Sequence, residues 1–162
     1  MSVFVSNAPV NLYEVSIRRV SAECMNSAMT ISASGIGAAT VQLGAAASNI
    51  ANMQTGGPVP ATPPSQSLPQ TPGGAYQAVN VQQTAARNGG VTASLSASLP
   101  SYLVAYDPGS AQANSQGMIV VPNVDMATQY VNMSQANAAL RASIAVFKAA
   151  DKSYQLLLNV IV

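Results

Sequence analysis

Few side chains in this sequence could do chemistry, and they are far apart. Histidine is absent, which removes the usual general base near neutral pH and the most common metal ligand. After residue 24 the only carboxylates are Asp107, Asp125 and Asp151. Catalysis by a carboxylate pair needs two such groups in close approach, and these three fall in a turn, at a helix start and far along a helix. We therefore expect no catalytic site, metal site or cofactor. An enzyme would need a cluster of titratable groups that the sequence does not display.

The scarcity of charge extends over all 162 residues. Charged residues make up 7 % of the chain, against about 25 % in an average soluble domain, and the formal net charge is +1. The sequence therefore has no basic footprint for nucleic acid and no polybasic patch for an anionic membrane. Its apolar residues are rich in alanine and poor in the large side chains that usually fill a core. This composition suits packing against copies or neighbours better than closing a deep core alone, and we expect no small-molecule substrate.

The first residues differ in composition from the rest. Residues 1–28 hold four of the eleven charges and the only cysteine, Cys24, so no intrachain disulfide can form. We interpret residues 1–24 as an extension or a misassigned start, and we expect Met25 or Met29 to be the initiator. Arg18 and Arg19 come too late for the charged region of a Sec-type signal, and no apolar stretch follows them.

The elements that must position any site begin with a helix predicted over residues 25–53. Steps of three and four residues along this segment give an almost unbroken apolar pattern, which is typical of a helix that packs against another helix. Glycines weaken it by roughly 1 kcal/mol each relative to alanine. The pattern consists of Met29, Ser32, Ile36, Ala39, Leu43, Ala46, Ile50 and Met53.

The middle of the chain is predicted to be a loop followed by a small β module. Residues 54–75 hold six of the ten prolines, a density that neither a helix nor a central strand tolerates. Residues 76–121 then show strand patterns, with alternating apolar and polar residues over 91–99 and a hairpin signal at Asn88, Gly89 and Gly90. Short strands at 102–106 and 118–121 are expected to complete one small sheet.

A long helix is predicted over residues 122–162. Asp125 is placed to cap its N-terminus just after Pro122, and neither glycine nor proline follows Pro122. From Asp125 to Val162 the helix would be about 57 Å long at 1.5 Å per residue, and its apolar stripe needs a partner helix. A row of large apolar side chains recurs every seven residues: Met126, Met133, Leu140, Phe147, Tyr154 and Ile161. Companion rows contain Gln129, Ala136, Ser143, Ala150 and Leu157, and Tyr130, Asn137, Ile144, Asp151 and Leu158.

Two ordered motifs carry a family resemblance. Residues 47–52 read ASNIAN at the end of the first helix, and the second motif precedes the last helix. Together they resemble the rod and hook family of bacterial flagellar axial proteins, most of all its proximal-rod members, over roughly residues 25–162. The proline-rich insert departs from the family pattern. The second motif comprises Tyr106, Asp107, Pro108, Gly109, Gly117, Pro122, Asn123, Val124 and Asp125.

The resemblance implies an α+β fold in which long N- and C-terminal helices pair as a coiled coil around a hairpin-rich β module. It implies a non-enzymatic structural subunit of the flagellar basal-body rod that polymerises through these helices, transmits torque in motility and has no cofactor. It also implies export into the periplasmic rod by the flagellar type III apparatus, and partners among other rod subunits, the adjoining ring and export components, and copies of itself. Another type III-exported filament or needle-like subunit is the alternative. The expected assembly interface comprises Ile36, Leu43, Ser48, Asn49, Ile50, Asn52, Met126, Met133, Leu140, Phe147, Tyr154, Leu158 and Ile161.

Overall fold

Two long helices flank two β-hairpins in the computed structural model, which describes residues 12–60, 74–87 and 89–161, and the side chains of residues 23–60, 74–87 and 89–159. The α+β prediction is therefore confirmed. The elements in chain order are α1 (Leu12–Asn52), β1 (Val79–Ala85), β2 (Val91–Ala97), β3 (Tyr102–Tyr106), β4 (Met118–Pro122) and α2 (Met126–Ile161).

The first helix is longer than its apolar pattern predicts. It begins at Leu12, upstream of Met25, so one helix crosses the boundary that we expected between residues 24 and 25. The helix ends where expected. A tight turn follows it, in which the Asn52 carbonyl accepts hydrogen bonds from the Thr55 backbone N–H at 3.0 Å and from the Thr55 hydroxyl at 2.7 Å. Glycine and proline follow at residues 56–58 and do not continue a helix. The position of the initiator stays a prediction.

The second helix starts where the sequence predicts. It spans 36 residues from Met126, and the carbonyl of Asp125 accepts the first intrahelical hydrogen bond, from the N–H of Gln129, at 3.1 Å. The helix is about 54 Å long. Within the described ranges, neither helix holds a stretch apolar enough over sufficient length to cross a membrane.

Helices α1 and α2 pack against each other in opposite directions. Asn49, near the end of α1, contacts Gln129 at the start of α2, and Gly35 faces Ser143 further along both helices. The buried positions in this contact carry small side chains, which allow close approach. They are Ser32, Ala39 and Ala46 on α1, and Ala136 and Ala150 on α2.

The strands form two separate antiparallel pairs. Strand β1 pairs with β2 over seven residue pairs and β3 pairs with β4 over five, and each pair is a two-stranded sheet. The expected strands are therefore present, but the single sheet that we expected is wrong. The chain bends at Leu99 and Pro100 between β2 and β3, and a proline has no N–H to donate to a strand ladder.

The β1–β2 hairpin lies along α1. At its tip, the backbone N–H of Val91 donates to the Ser34 hydroxyl at 3.1 Å. Gly90 has a φ of +86°, and a Cβ there would lie 2.3 Å from the Ser34 oxygen, so the turn requires glycine both for its backbone angle and for its closeness to α1. The hairpin expected at this point is present, although Asn88 lies outside the described residues.

The chain leaving α1 joins the second hairpin. Gly57 and Val120 exchange two backbone hydrogen bonds, of 2.9 and 3.0 Å, beside β4. A Cβ on Gly57 would lie 2.2 Å from the backbone nitrogen of Ala75, so both sides of the proline-rich segment meet at this glycine. Residues 61–73 of that segment lie outside the described residues.

Two glycines of α1 provide a test of the close contact between the helices. A Cβ on Gly35 would lie 2.7 Å from the Ser143 hydroxyl oxygen, whereas a Cβ on Gly37 would meet nothing within 4 Å. Gly37→Ala should stabilise the fold by about 0.5–1 kcal/mol through helix propensity. Gly35→Ala should gain less or destabilise, and adding Ser143→Ala should recover the difference. Urea denaturation followed by circular dichroism measures all three variants. Equal gains at Gly35 and Gly37 would contradict the close helix contact.

Candidate assembly surfaces

The side-chain amide of Asn49 joins three elements. Its nitrogen donates to the Val79 carbonyl at 2.8 Å and to Gln129 Oε1 at 3.0 Å, and its oxygen accepts from the Val79 N–H and the Tyr76 hydroxyl, both at 3.0 Å. Asn49 is only 2 % exposed. All four hydrogen-bonding positions of a buried amide are thus satisfied, and α1, β1 and α2 are held at one point.

The neighbours of Asn49 in the ASNIAN segment serve the same end of α1. The hydroxyls of Ser48 and Tyr76 are hydrogen-bonded to each other at 3.1 Å, and the Asn52 amide donates to the Ser48 carbonyl at 2.8 Å. The Asn52 bond adds a side-chain donor to a carbonyl in the last turns of α1. The contacts of Ser48, Asn49 and Asn52 therefore lie within the chain, and their part in contacts between subunits stays a prediction.

Gln129 makes a contact between the helices that sequence reasoning missed. It is 8 % exposed and accepts the Asn49 amide across the helix pair. A signal was present, because Gln129 opens the seven-residue row that continues through Ala136 and Ala150, two buried alanines. A polar residue in an otherwise small, buried row fixes the register between helices.

The YDPG segment and Gly117 close the loop between β3 and β4. The Asp107 N–H donates to the Gly117 carbonyl at 2.9 Å, and the Asp107 carboxylate accepts from the Gly109 N–H at 3.2 Å. Gly117 has a φ of +74°, and a Cβ there would lie 2.8 Å from the Tyr106 ring and 3.1 Å from Pro108. The motif residues Tyr106, Pro108 and Gly117 therefore pack against one another, and each constrains the turn.

Asn114 organises the same loop, and sequence reasoning did not identify it. Its side-chain oxygen accepts from the N–H groups of Gln116 and Met118 at 2.9 and 3.0 Å, and its backbone bonds to Gly117 and Met118. Asparagine commonly makes such local bonds in turns. An isolated asparagine among other small polar residues carries no specific pattern, which explains why it was overlooked.

The PNVD segment connects the second hairpin to α2. Pro122 ends β4. The next residue, Asn123, contacts the bend before β3: its backbone N–H donates to the Ser101 carbonyl at 2.9 Å, and its side-chain amide donates to the Pro100 carbonyl at 3.0 Å. Asp125 then accepts hydrogen bonds from the hydroxyl and the N–H of Thr128, the latter at 2.9 Å. The predicted N-cap role of Asp125 is confirmed.

The apolar residues expected in the assembly interface differ in how far they are exposed. Met133, Leu140 and Phe147, in the middle of the large apolar row, are half-buried, whereas Met126 and Tyr154 near its ends are exposed. On α1 the expected apolar residues, Ile36, Leu43 and Ile50, are half-buried. Leu158 is exposed, and the side chain of Ile161 lies outside the described residues. Whether they contact other subunits stays a prediction.

Many large apolar side chains remain exposed. On α2 they are distributed around the helix, and on the second hairpin they include Tyr106, which is 70 % exposed. Burying a large apolar side chain contributes about 1.5–3 kcal/mol, so these surfaces are available to stabilise an assembly. Those on α2 are Met126, Tyr130, Val131, Val146, Tyr154, Leu156 and Leu158, and those on the hairpins are Leu95, Leu103, Val104 and Tyr106.

The charged groups among the described side chains make local hydrogen bonds or face solvent. Asp151 accepts from the Gln155 amide at 2.9 Å one turn along α2, and Arg141, Lys148 and Lys152 are exposed. Among the described residues, no three groups of the histidine, cysteine, aspartate and glutamate types lie together as metal ligands would. The arrangement offers packing surfaces and hydrogen bonds rather than reactive groups.

Comparison with known proteins supports a resemblance to the flagellar rod proteins. No protein-family model matches the chain. The chain is similar to the flagellar basal-body rod protein FlgC of Agrobacterium fabrum, with 26 % identity over 125 residues that cover 76 % of this chain and 86 % of that protein. That relative is, by its name, a basal-body rod protein.

The Asn49 amide provides a test of how the elements are joined. Asn49→Ala should lower the free energy of unfolding by about 3 kcal/mol, because a buried polar group left unsatisfied costs about 1–3 kcal/mol and Val79, Tyr76 and Gln129 all lose a partner. Asn52→Ala should cost less than about 1 kcal/mol, since its amide serves only its own helix. Urea denaturation measures both. Equal losses would show that Asn49 does not join the elements.

The Asp125 cap provides a test of pH dependence. Hydrogen bonds from Thr128, chiefly from its hydroxyl, hold the pKa of Asp125 below its usual 3.8. The charged cap therefore stabilises α2 at pH values above 3.8, and this contribution is lost as the pH falls through the lower pKa of the folded state. Asp125→Asn keeps a capping oxygen but does not titrate.

The stability advantage of the unmodified chain over the Asp125→Asn variant should accordingly shrink between about pH 6 and about pH 2.5. Thermal unfolding of both proteins across this range measures it, and taking the difference cancels the other carboxylates. An advantage that is constant with pH would contradict the role assigned to the carboxylate.

Proposed function

We propose that this chain is a structural subunit of the proximal rod of the bacterial flagellar basal body, which polymerises through its helices and transmits torque. The observation that carries the proposal is the similarity to a basal-body rod protein over 86 % of that protein's length. The chain's low charge, its small-residue helix contact and its exposed apolar side chains suit repeated dry packing between subunits.

In this proposal the antiparallel helices act as a coiled coil and form the assembly element. The buried positions of both helices recur at seven-residue intervals, which is the spacing of such a structure. The exposed Met126, Tyr154 and Leu158 of α2 would pack against neighbouring subunits, together with the outward parts of the half-buried rows. The β-hairpins would lie outside this layer and contact neighbouring subunits.

The proposed partners are other rod subunits, adjoining ring and export components, and copies of the chain itself. The proposed location is the periplasmic rod, reached through the flagellar type III apparatus without a Sec signal. Another type III-exported filament or needle-like subunit is the alternative. Electron microscopy of basal bodies from cells with and without the gene separates the two, because an intact rod in the deletion strain would exclude the rod function.

The C-terminal end of α2 provides a test of assembly. Truncation after Lys152 leaves the cap at Asp125 and the buried contacts as far as Ala150, so the remaining protein should fold and be exported. It removes the exposed Tyr154, Leu156 and Leu158, and each such side chain contributes about 1.5–3 kcal/mol when it is buried by a neighbour. The truncated protein should therefore fail to build a rod and leave cells non-motile.

A motility assay with export measured in parallel makes this test. Lys148→Ala serves as the control on the same helix, because Lys148 is exposed and its loss should leave swimming unchanged. Swimming supported by the truncated protein would show that assembly does not use the end of α2.

A further inference from the structure

A groove of about 260 Å³ lies between α1, the start of α2 and β1. One wall is strand β1 itself, and the opposite wall carries Gln129 and Asn132 of α2. No charged residue lines it. The full lining is Gln42, Ala45, Ala46, Val79, Asn80, Val81, Gln82, Gln129 and Asn132.

The edge of β1 that faces this groove has unused backbone groups. Both the N–H and the carbonyl of Val79 bond to Asn49, on the side away from β2. Along a strand of an antiparallel pair, the backbone groups of successive residues point alternately toward the paired strand and away from it. The Ala78 carbonyl accepts from the Ser98 N–H, so Ala78 and every second residue after it point toward the other strand of the hairpin. The N–H and carbonyl groups of Val81 and Gln83 therefore point to the same side as those of Val79, where Asn49 no longer reaches.

This edge lacks the features that usually prevent strand addition. Strand β1 has the sequence VNVQQTA, without charge or proline, and its seven pairs with β2 run in continuous register without a bulge. Exposed edges of this kind are templates for pairing with another chain, and proteins normally blunt them. Asn49 already occupies the first position of the edge in the way a neighbouring strand would.

The opposite wall presents a second set of unused hydrogen-bond groups. Gln129 is more than nine-tenths buried and lines the groove, and its Oε1 atom accepts from Asn49. Its Nε2 hydrogens bond to no atom of the described residues. Among the described residues no buried side-chain nitrogen or oxygen lacks a partner, so this unbonded donor is accessible from the groove, where it can bond a ligand that brings an acceptor.

The chemistry of the groove selects among classes of ligand. An inorganic ion or a charged metabolite finds no countercharge on the lining. A backbone segment, by contrast, supplies alternating donors and acceptors to both walls.

We propose that this groove binds one extended, uncharged polypeptide segment of a partner protein, which adds to β1 as a third strand. The main chain of the segment pairs with Val81 in the groove and with Gln83 just beyond its lining, and its carbonyls accept from Gln129 on the other side. Such strand addition takes its affinity from main-chain hydrogen bonds. The site does not depend on the chain being a rod subunit.

The test uses the full-length protein, labelled with ¹⁵N, and the neutral peptide acetyl-VTASLSA-amide, which has the sequence of β2. The backbone amide signals of Val81 and Gln83 and the side-chain amide signal of Gln129 should shift together and saturate. The same peptide with alternate backbone nitrogens methylated should not bind. The absence of shifts at about 1 mM, or equal binding of the methylated peptide, would overturn the proposal.

Two variants sharpen the test. Gln129→Glu keeps the oxygen that Asn49 needs but removes the free donors, and Val81→Pro removes one N–H that points away from β2. Each should weaken peptide binding by about tenfold, the equivalent of one lost hydrogen bond. Gln135→Glu, on the exposed face of α2, should leave binding unchanged. If Gln129→Glu alters the fold, the Val81→Pro result decides.

The outcome is distinguishable from that of the proposed function. Loss of the rod in the deletion strain, together with no peptide binding, would leave the rod function standing and remove the groove proposal. Peptide binding by the purified protein, together with intact rods in the deletion strain, would support the groove proposal and exclude the rod function.

Discussion

The fold depends on one buried amide. Asn49 makes four hydrogen bonds that hold α1, β1 and the start of α2 together, and no charged group takes part. An amide side chain can do this because its donor and acceptor are spaced like those of a peptide group, so it can continue a strand edge from a helix. Buried polar contacts of this type specify one arrangement when fully satisfied. That specificity is needed here, because the described core is mostly alanine and small side chains discriminate poorly between packing registers.

The alanine-rich contact between the helices has a second effect. Small side chains bring the helices close but bury little apolar area per residue, and the larger side chains lie at the margins of the contact or face outward. Met133, Leu140 and Phe147 are only half-buried, and Leu156 and Leu158 are exposed. The chain thus leaves much of its apolar surface exposed.

The parts of the structure that could be predicted are those governed by local rules. Asp125 as an N-cap, the turn at Gly89 and Gly90, and the seven-residue spacing of α2 each depend on a few adjacent residues. The missed features depend on distant ones. The Asn49–Gln129 contact joins residues eighty positions apart, and the separation of the strands into two sheets follows from a bend that no single propensity encodes. The start of α1 at Leu12 lies where charged and apolar residues mix without a clear period, so the pattern placed the boundary too late.

The hairpins are distributed unevenly along the helix pair. The β1–β2 hairpin lies along α1 from Ile31 to Asn49, and the second hairpin is attached close to the start of α2. On the N-terminal side of Ile31 the described part of the helix pair continues without a β layer. The subunit is therefore tapered, with a thick end of helices and sheets and a thin end of two helices. Tapered bodies set side by side with the same relative rotation produce curvature, with their thin ends on the inside.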